Sequence, residues 1–172
     1  MNTAISAAGA ERPFMSLVPA GQSPGTLPGL ASNPTGFNAF FPCEIYRAGN
    51  AVDGTIGGGP HNYFRCVVAR TDSDDFPAGA AKIDEHAAVL AASVLECLSP
   101  QGWTATEPEI TKDYEDSSKT WLYRPPAGET EVLVTMLTDA PSNGSRITTV
   151  RWSARLIVRA PNPKHPGYAR RS

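Results

Sequence analysis

A basic excess, long apolar runs and metal-type cysteine spacing are all missing from this chain. Its 172 residues carry 17 acidic and 15 basic side chains, for a formal net charge of −2. That balance excludes a globally basic nucleic-acid coat. No stretch approaches the ~18 consecutive apolar residues of a membrane span. Cysteine and histidine number three each, with no C-x-x-C or H-x-x-x-H spacing, so no zinc site is spelled out. The charged fraction of 19% lies below the usual ~25%. Met1 to Ala10 is small and uncharged, and no apolar core of signal-peptide length follows Arg12. A protein kept in a reducing cytoplasm, or released by lysis, is therefore expected. Plentiful instead are 15 Gly and 16 Pro, the composition of arms and long loops.

Three parts follow from the pattern. Residues 1–38 hold only Glu11 and Arg12 as charges, with Pro13, Pro19, Pro24, Pro28 and Pro34 spaced along them. Without a period of 2 or 3.6, the segment predicts an irregular arm with no helix or strand of any length. Phe14, Leu17, Leu27 and Phe37 are its apolar anchors. Residues 39–159 read as one α+β domain in the order ββ-α-βββ, an antiparallel sheet with one main amphipathic helix on one face. Strand candidates are 40–47, 62–70, 119–124, 129–138 and 147–159, rich in β-branched and aromatic side chains. The helix spans about 79–98, with Ile83, Ala87, Leu90, Val94 and Leu98 on one stripe, widened by Ala91 and Leu95. Asp74 or Asp75 would cap it, and Ser99-Pro100-Gln101-Gly102 stops it. In the last strand Val150, Trp152, Ala154, Leu156 and Val158 alternate with Arg151, Ser153, Arg155 and Arg159, one apolar face and one polar. Residues 160–172 form a basic, Pro-rich tail.

Catalytic strings fail on their mechanics. Gly21-Gln22-Ser23-Pro24-Gly25 spells a nucleophile elbow, but Pro24 has no N–H for an oxyanion hole and no strand precedes Ser23. His86 would be a solvated helix residue, because adjacent Asp84 and Glu85 diverge from it. His61 falls in a Gly-rich loop and His165 in the tail. Gly57-Gly58-Gly59 lacks the following Lys-Ser/Thr of a phosphate-binding loop. Asp113, Glu115 and Asp116 read as a solvated loop, and the sequon Asn143-Gly144-Ser145 means nothing without secretion. Cys43, Cys66 and Cys97 sit among apolar neighbours and read as buried thiols, although Cys43 and Cys66 could also close across a hairpin. No catalytic residue, metal ligand or cofactor is nominated.

Charge is more informative. Eleven acidic residues lie between 72 and 116, opposed only by Lys82 and Lys112; from Ala140 onward all seven charges are basic. Internal pairing, nucleic-acid binding and subunit contact compete to explain this bipolarity. Nucleic acid is disfavoured, since no aromatic interleaves the arginine face. Contact between copies accounts for the arm as well, because spaced anchors on an uncharged strap would find a neighbour to cover. The expectation is a non-enzymatic assembly subunit docking copies of itself and other structural proteins. Its arm anchors would be Phe14, Leu17, Leu27 and Phe37, and its electrostatic contacts Arg151, Arg155 and Arg159. Small virion components of the phage neck, tail-completion or capsid-associated kind share this economy, located in the virion if viral and otherwise in the cytoplasm. The alternative is a cytoplasmic partner-binding module of the inhibitor or immunity type. On the assembly reading, removal of residues 1–38 should leave a cooperatively melting fold while assembly is lost.

Overall fold

The computed structural model describes residues 1–10, 14–17, 43–46, 61–73, 75–112, 117–139 and 150–161. Its longest element is the helix α2, Phe76–Leu98. Asp75 Oδ1 accepts from the Ala78 N–H at 3.0 Å, and Pro77 occupies the first turn, where its missing N–H costs nothing. This start lies three residues before the predicted one, because Pro77 and the cap extend the helix ahead of its apolar stripe. Ser99–Gln101 tightens into a 3₁₀ turn, and Gly102 at φ 79° reverses the chain. That left-handed conformation favours glycine, which has no Cβ to clash. Ile83, Ala87, Leu90, Ala91, Val94 and Leu98 are buried. Leu95 is 37% exposed, and Cys97 is exposed rather than buried. Both sit on the outward side of the stripe, where helical phase overrides apolar sequence neighbours.

Among the described residues, seven strands form one sheet, all pairings antiparallel: β1 (Glu44–Tyr46), β2 (His61–Ser73), β3 (Thr104–Ala105), β4 (Glu109–Lys112), β5 (Ser117–Arg124), β6 (Glu131–Asp139) and β7 (Val150–Pro161). The order is β1-β2-β7-β6-β5-β3, with β4 also on β5. The α+β class and the single main helix stand as expected; β3 and β4 are short strands that the hydrophobic pattern did not reveal. Trp152, Ala154, Leu156, Val158 and Ala160 of β7 are buried together with Phe64, Cys66, Val132 and Val134, and α2 lies over β2, β7 and β6. Two polar ties fasten the helix to β5. Tyr123 Oη donates to the Ala91 carbonyl at 2.7 Å, and Lys119 Nζ reaches Asp84 at 2.8 Å. A bulge at Val68 shifts the β2–β7 register, turning the strand without breaking the ladder.

The N-terminal segment corrects the expected arm. Asn2–Ala8 is a helix, α1, which packs on β7. Met1, Ala4, Ala7, Ala8, Phe14 and Leu17 belong to the hydrophobic core. Phe14 is fully buried, and its ring lies 6.3 Å from that of Phe64. Its φ of 63° is strained for a bulky residue. The strain is held by packing and by hydrogen bonds from Phe14 N–H to the Ala7 carbonyl and from Leu17 N–H to the Phe14 carbonyl. The helix α2 thus leaves part of the covered face vacant, and the chain's own beginning fills it. Phe14 and Leu17 are therefore core residues, and removal of this segment opens the core. Leu27 and Phe37 lie outside the described residues.

Cys43 and Cys66 form a disulfide, which corrects the expectation of buried thiols. The register supplies the reason. Glu44 pairs with Arg65, so the preceding Cys43 stands across from Cys66. Both are buried.

Candidate functional site

No described helix lies on the second face of the sheet, and its side chains fall into cross-strand rows. One row runs Leu122, Leu133, Ile157 and Arg65 across β5, β6, β7 and β2. The next runs Glu109, Thr120, Thr135 and Arg155, acid at one edge and arginine at the other. Leu133 and Thr135 are buried while Leu122, Ile157 and Arg155 are half-buried, and Thr120 Oγ1 meets Thr135 Oγ1 at 3.3 Å.

Two open grooves flank Leu133. One, about 290 Å³, is lined by His61, Tyr63, Arg65, Leu137, Arg155 and Ile157 among others. The other, about 450 Å³, is lined by Thr106, Glu107, Glu109, Thr120, Leu122 and Arg124 among others. Leu133 and Arg159 border both. The face thus carries arginines with partners inside the chain on the β2–β7 side and the exposed Glu107 and Glu109 on the β3–β4 side, with an apolar row between them.

Ion pairs decide where the charge is spent. Glu131 accepts from Arg124 Nε at 3.0 Å and from Arg159 Nε at 2.5 Å. Burial alone would push its carboxyl pKa up, but the hydrogen bonds and positive charges of the two guanidinium groups together outweigh burial and hold it below the ordinary value. Arg151 Nε reaches Asp72 at 3.1 Å, and Arg65 pairs with Glu44. Arg155 Nε donates to Ser153 Oγ at 3.1 Å. Of the predicted electrostatic contacts, Arg151 and Arg159 are thus engaged within the chain, the internal pairing that competed with subunit contact. Glu85, Glu96, Glu107 and Glu109 are exposed and join no ion pair among the described residues.

The other candidates do not converge. His86 is exposed on α2. His61 opens β2 instead of sitting in a loop and borders the basic groove. Ser23, Gly57 to Gly59, Asp113, Glu115, Asp116, Asn143 to Ser145 and His165 lie outside the described residues. Among the described residues, no group of three or more His, Cys, Asp or Glu could hold a metal ion, and no helix is long and apolar enough to cross a membrane. Leu122, Leu133, Leu137 and Ile157 were missed by the alternation argument. Their signal is the unbroken apolar runs Val132-Leu133-Val134 and Leu156-Ile157-Val158, which mark strands apolar on both sides. No known protein family, curated protein or solved structure matches this chain.

Proposed function

We propose that the chain is a non-enzymatic structural subunit of a larger assembly, a small virion component of the phage neck, tail-completion or capsid-associated kind. The observation that carries this reading is the sheet face on which no described helix lies. Among the described residues the helices pack on one side, while the other holds the row Leu122, Leu133 and Ile157 between a groove lined by Arg65 and Arg155 and one lined by Glu107 and Glu109. An apolar strip rimmed by polar groups is the composition of a protein–protein contact.

The buried Cys43–Cys66 bond adds a second support. Disulfides persist in secreted proteins and on virion surfaces and are rare in the reducing cytosol, so the bond favours a released particle over a cytoplasmic inhibitor. Arginines engaged by Glu131 and Asp72 also favour protein partners over phosphate. Association then rests on the sheet face, because Phe14 and Leu17 are consumed by the core.

Size-exclusion chromatography with light scattering on the oxidised full chain tests the reading. Species heavier than the single-chain 18.3 kDa are expected, growing with concentration. A strict single-chain mass at every concentration would overturn it.

A further inference from the structure

The outward side of α2 carries a stripe that stays in solvent. Ala78, Lys82, Glu85, Val89, Ala92 and Glu96 are all exposed. They recur at steps of four and three, the spacing that keeps one line of a helix turned toward a second helix. Val89, 63% exposed, is the most exposed large apolar side chain among the described residues. Lys82 and Glu96 lie seven residues before and after it. Among the described residues neither joins an ion pair, so their charges stand unspent.

Resting on the subunit reading, we infer that a second copy of this chain docks antiparallel on this stripe, about a two-fold axis beside Val89. The rotation sets each residue before Val89 against the one equally far after it. Lys82 of one copy therefore meets Glu96 of the next, twice, and Val89 meets its own counterpart at the centre. An isologous contact requires such a self-complementary patch. Ala78 and Ala92 add no bulk, so the two axes approach to ~8 Å. One apolar pair ringed by charges makes a small contact, below ~1,200 Å² in total, of the weakly associating class. α2 lies over the covered face of the sheet, so this contact is a second one, on the far side of the molecule from the sheet face. A subunit with one contact at each side extends with concentration instead of closing as a pair.

Charge reversal on α2 separates this interface from any other. Sedimentation velocity of the oxidised full chain, at low salt and up to ~500 micromolar, should show association. Lys82→Glu and Glu96→Lys should each weaken it at least ~5-fold by setting like charges face to face. Both changes suit the helix dipole, and melting curves confirm that the variants fold. The double variant Lys82→Glu/Glu96→Lys should regain wild-type affinity, since both reciprocal pairs return with their signs exchanged. Val89→Asp, at an exposed position, should weaken association without lowering Tm. In a Cys97→Ser background, Val89→Cys should form a disulfide between copies under oxidised glutathione. Ala81→Cys in that background should not, because its two copies would stand ~24 Å apart along the helices. An assembling wild type indifferent to Val89→Asp and to both reversals overturns the α2 contact and leaves the subunit reading standing. A wild type that is a monomer throughout overturns both.

Discussion

The two faces of the sheet show how one set of strands serves two ends. On the covered face, the alternate residues of β7 meet α2, α1 and the Phe14 turn, and apolar side chains dominate. On the open face, the residues between them combine leucine and isoleucine with arginines neutralised by Glu131 and Asp72. Large side chains removed from water hold the first face, at roughly 1.5–3 kcal/mol gross for each Leu, Ile, Val or Phe. Exposed ion pairs on the second are worth only about 0–1 kcal/mol each. Stability thus resides on one side, and association through the other belongs to the proposed reading alone.

Substitutions should separate the faces accordingly. Phe14→Ala should cost most, about 3–5 kcal/mol by chemical denaturation, since it empties a fully buried site against Phe64. A small loss there would restore the view of the N-terminal segment as a detachable strap. Reducing the Cys43–Cys66 bond, or replacing both residues by serine, should cost about 2–4 kcal/mol, read as a lower Tm under reducing conditions. Tyr123→Phe removes the hydrogen bond to Ala91 and should cost about 1 kcal/mol.

Tyr123 also sets an alkaline limit. Burial raises its pKa from 10.0 to about 12, so its contribution is complete below the unfolded value of 10. It is lost as the pH climbs through about 12, and the phenylalanine variant should lack that part of the alkaline transition. On the open face Glu131 works the other way. Its folded pKa is depressed, so its contribution is present above the ordinary carboxylate range and fades as acid takes the pH down through the folded value. Glu131→Gln should flatten that part of the acid melting profile. Arg151→Ser should do least, a few tenths of a kcal/mol, because Arg151 and Asp72 are each about half exposed. A large loss of stability from Arg151→Ser would dissolve the contrast between the faces.

Much of the covered face was legible residue by residue. The spacing of Ile83, Ala87, Leu90, Val94 and Leu98 predicts the buried stripe of α2, and alternation from Val150 to Val158 predicts which side of β7 it meets. The N-terminal segment was not legible by the same means. Phe14 lies in a left-handed turn outside any regular period, and its partner Phe64 is fifty residues away. Cys43 and Cys66 became a pair only through the β1–β2 register, and Cys97 became exposed only through helical phase. On the candidate face, Arg151, Arg155 and Arg159 could be assigned to one side from sequence. Their partners Asp72, Ser153 and Glu131 depended on strand order and rotamer.

The sequence by itself determined the class of fold, the main helix and the polarity of its last strand, because these follow from periodicity between near neighbours. Tertiary structure alone decided that the chain's beginning completes its own core, that two cysteines meet and that acid and arginine end a common row. Those outcomes depend on which distant residues the antiparallel register brings side by side, and no local pattern encodes that choice.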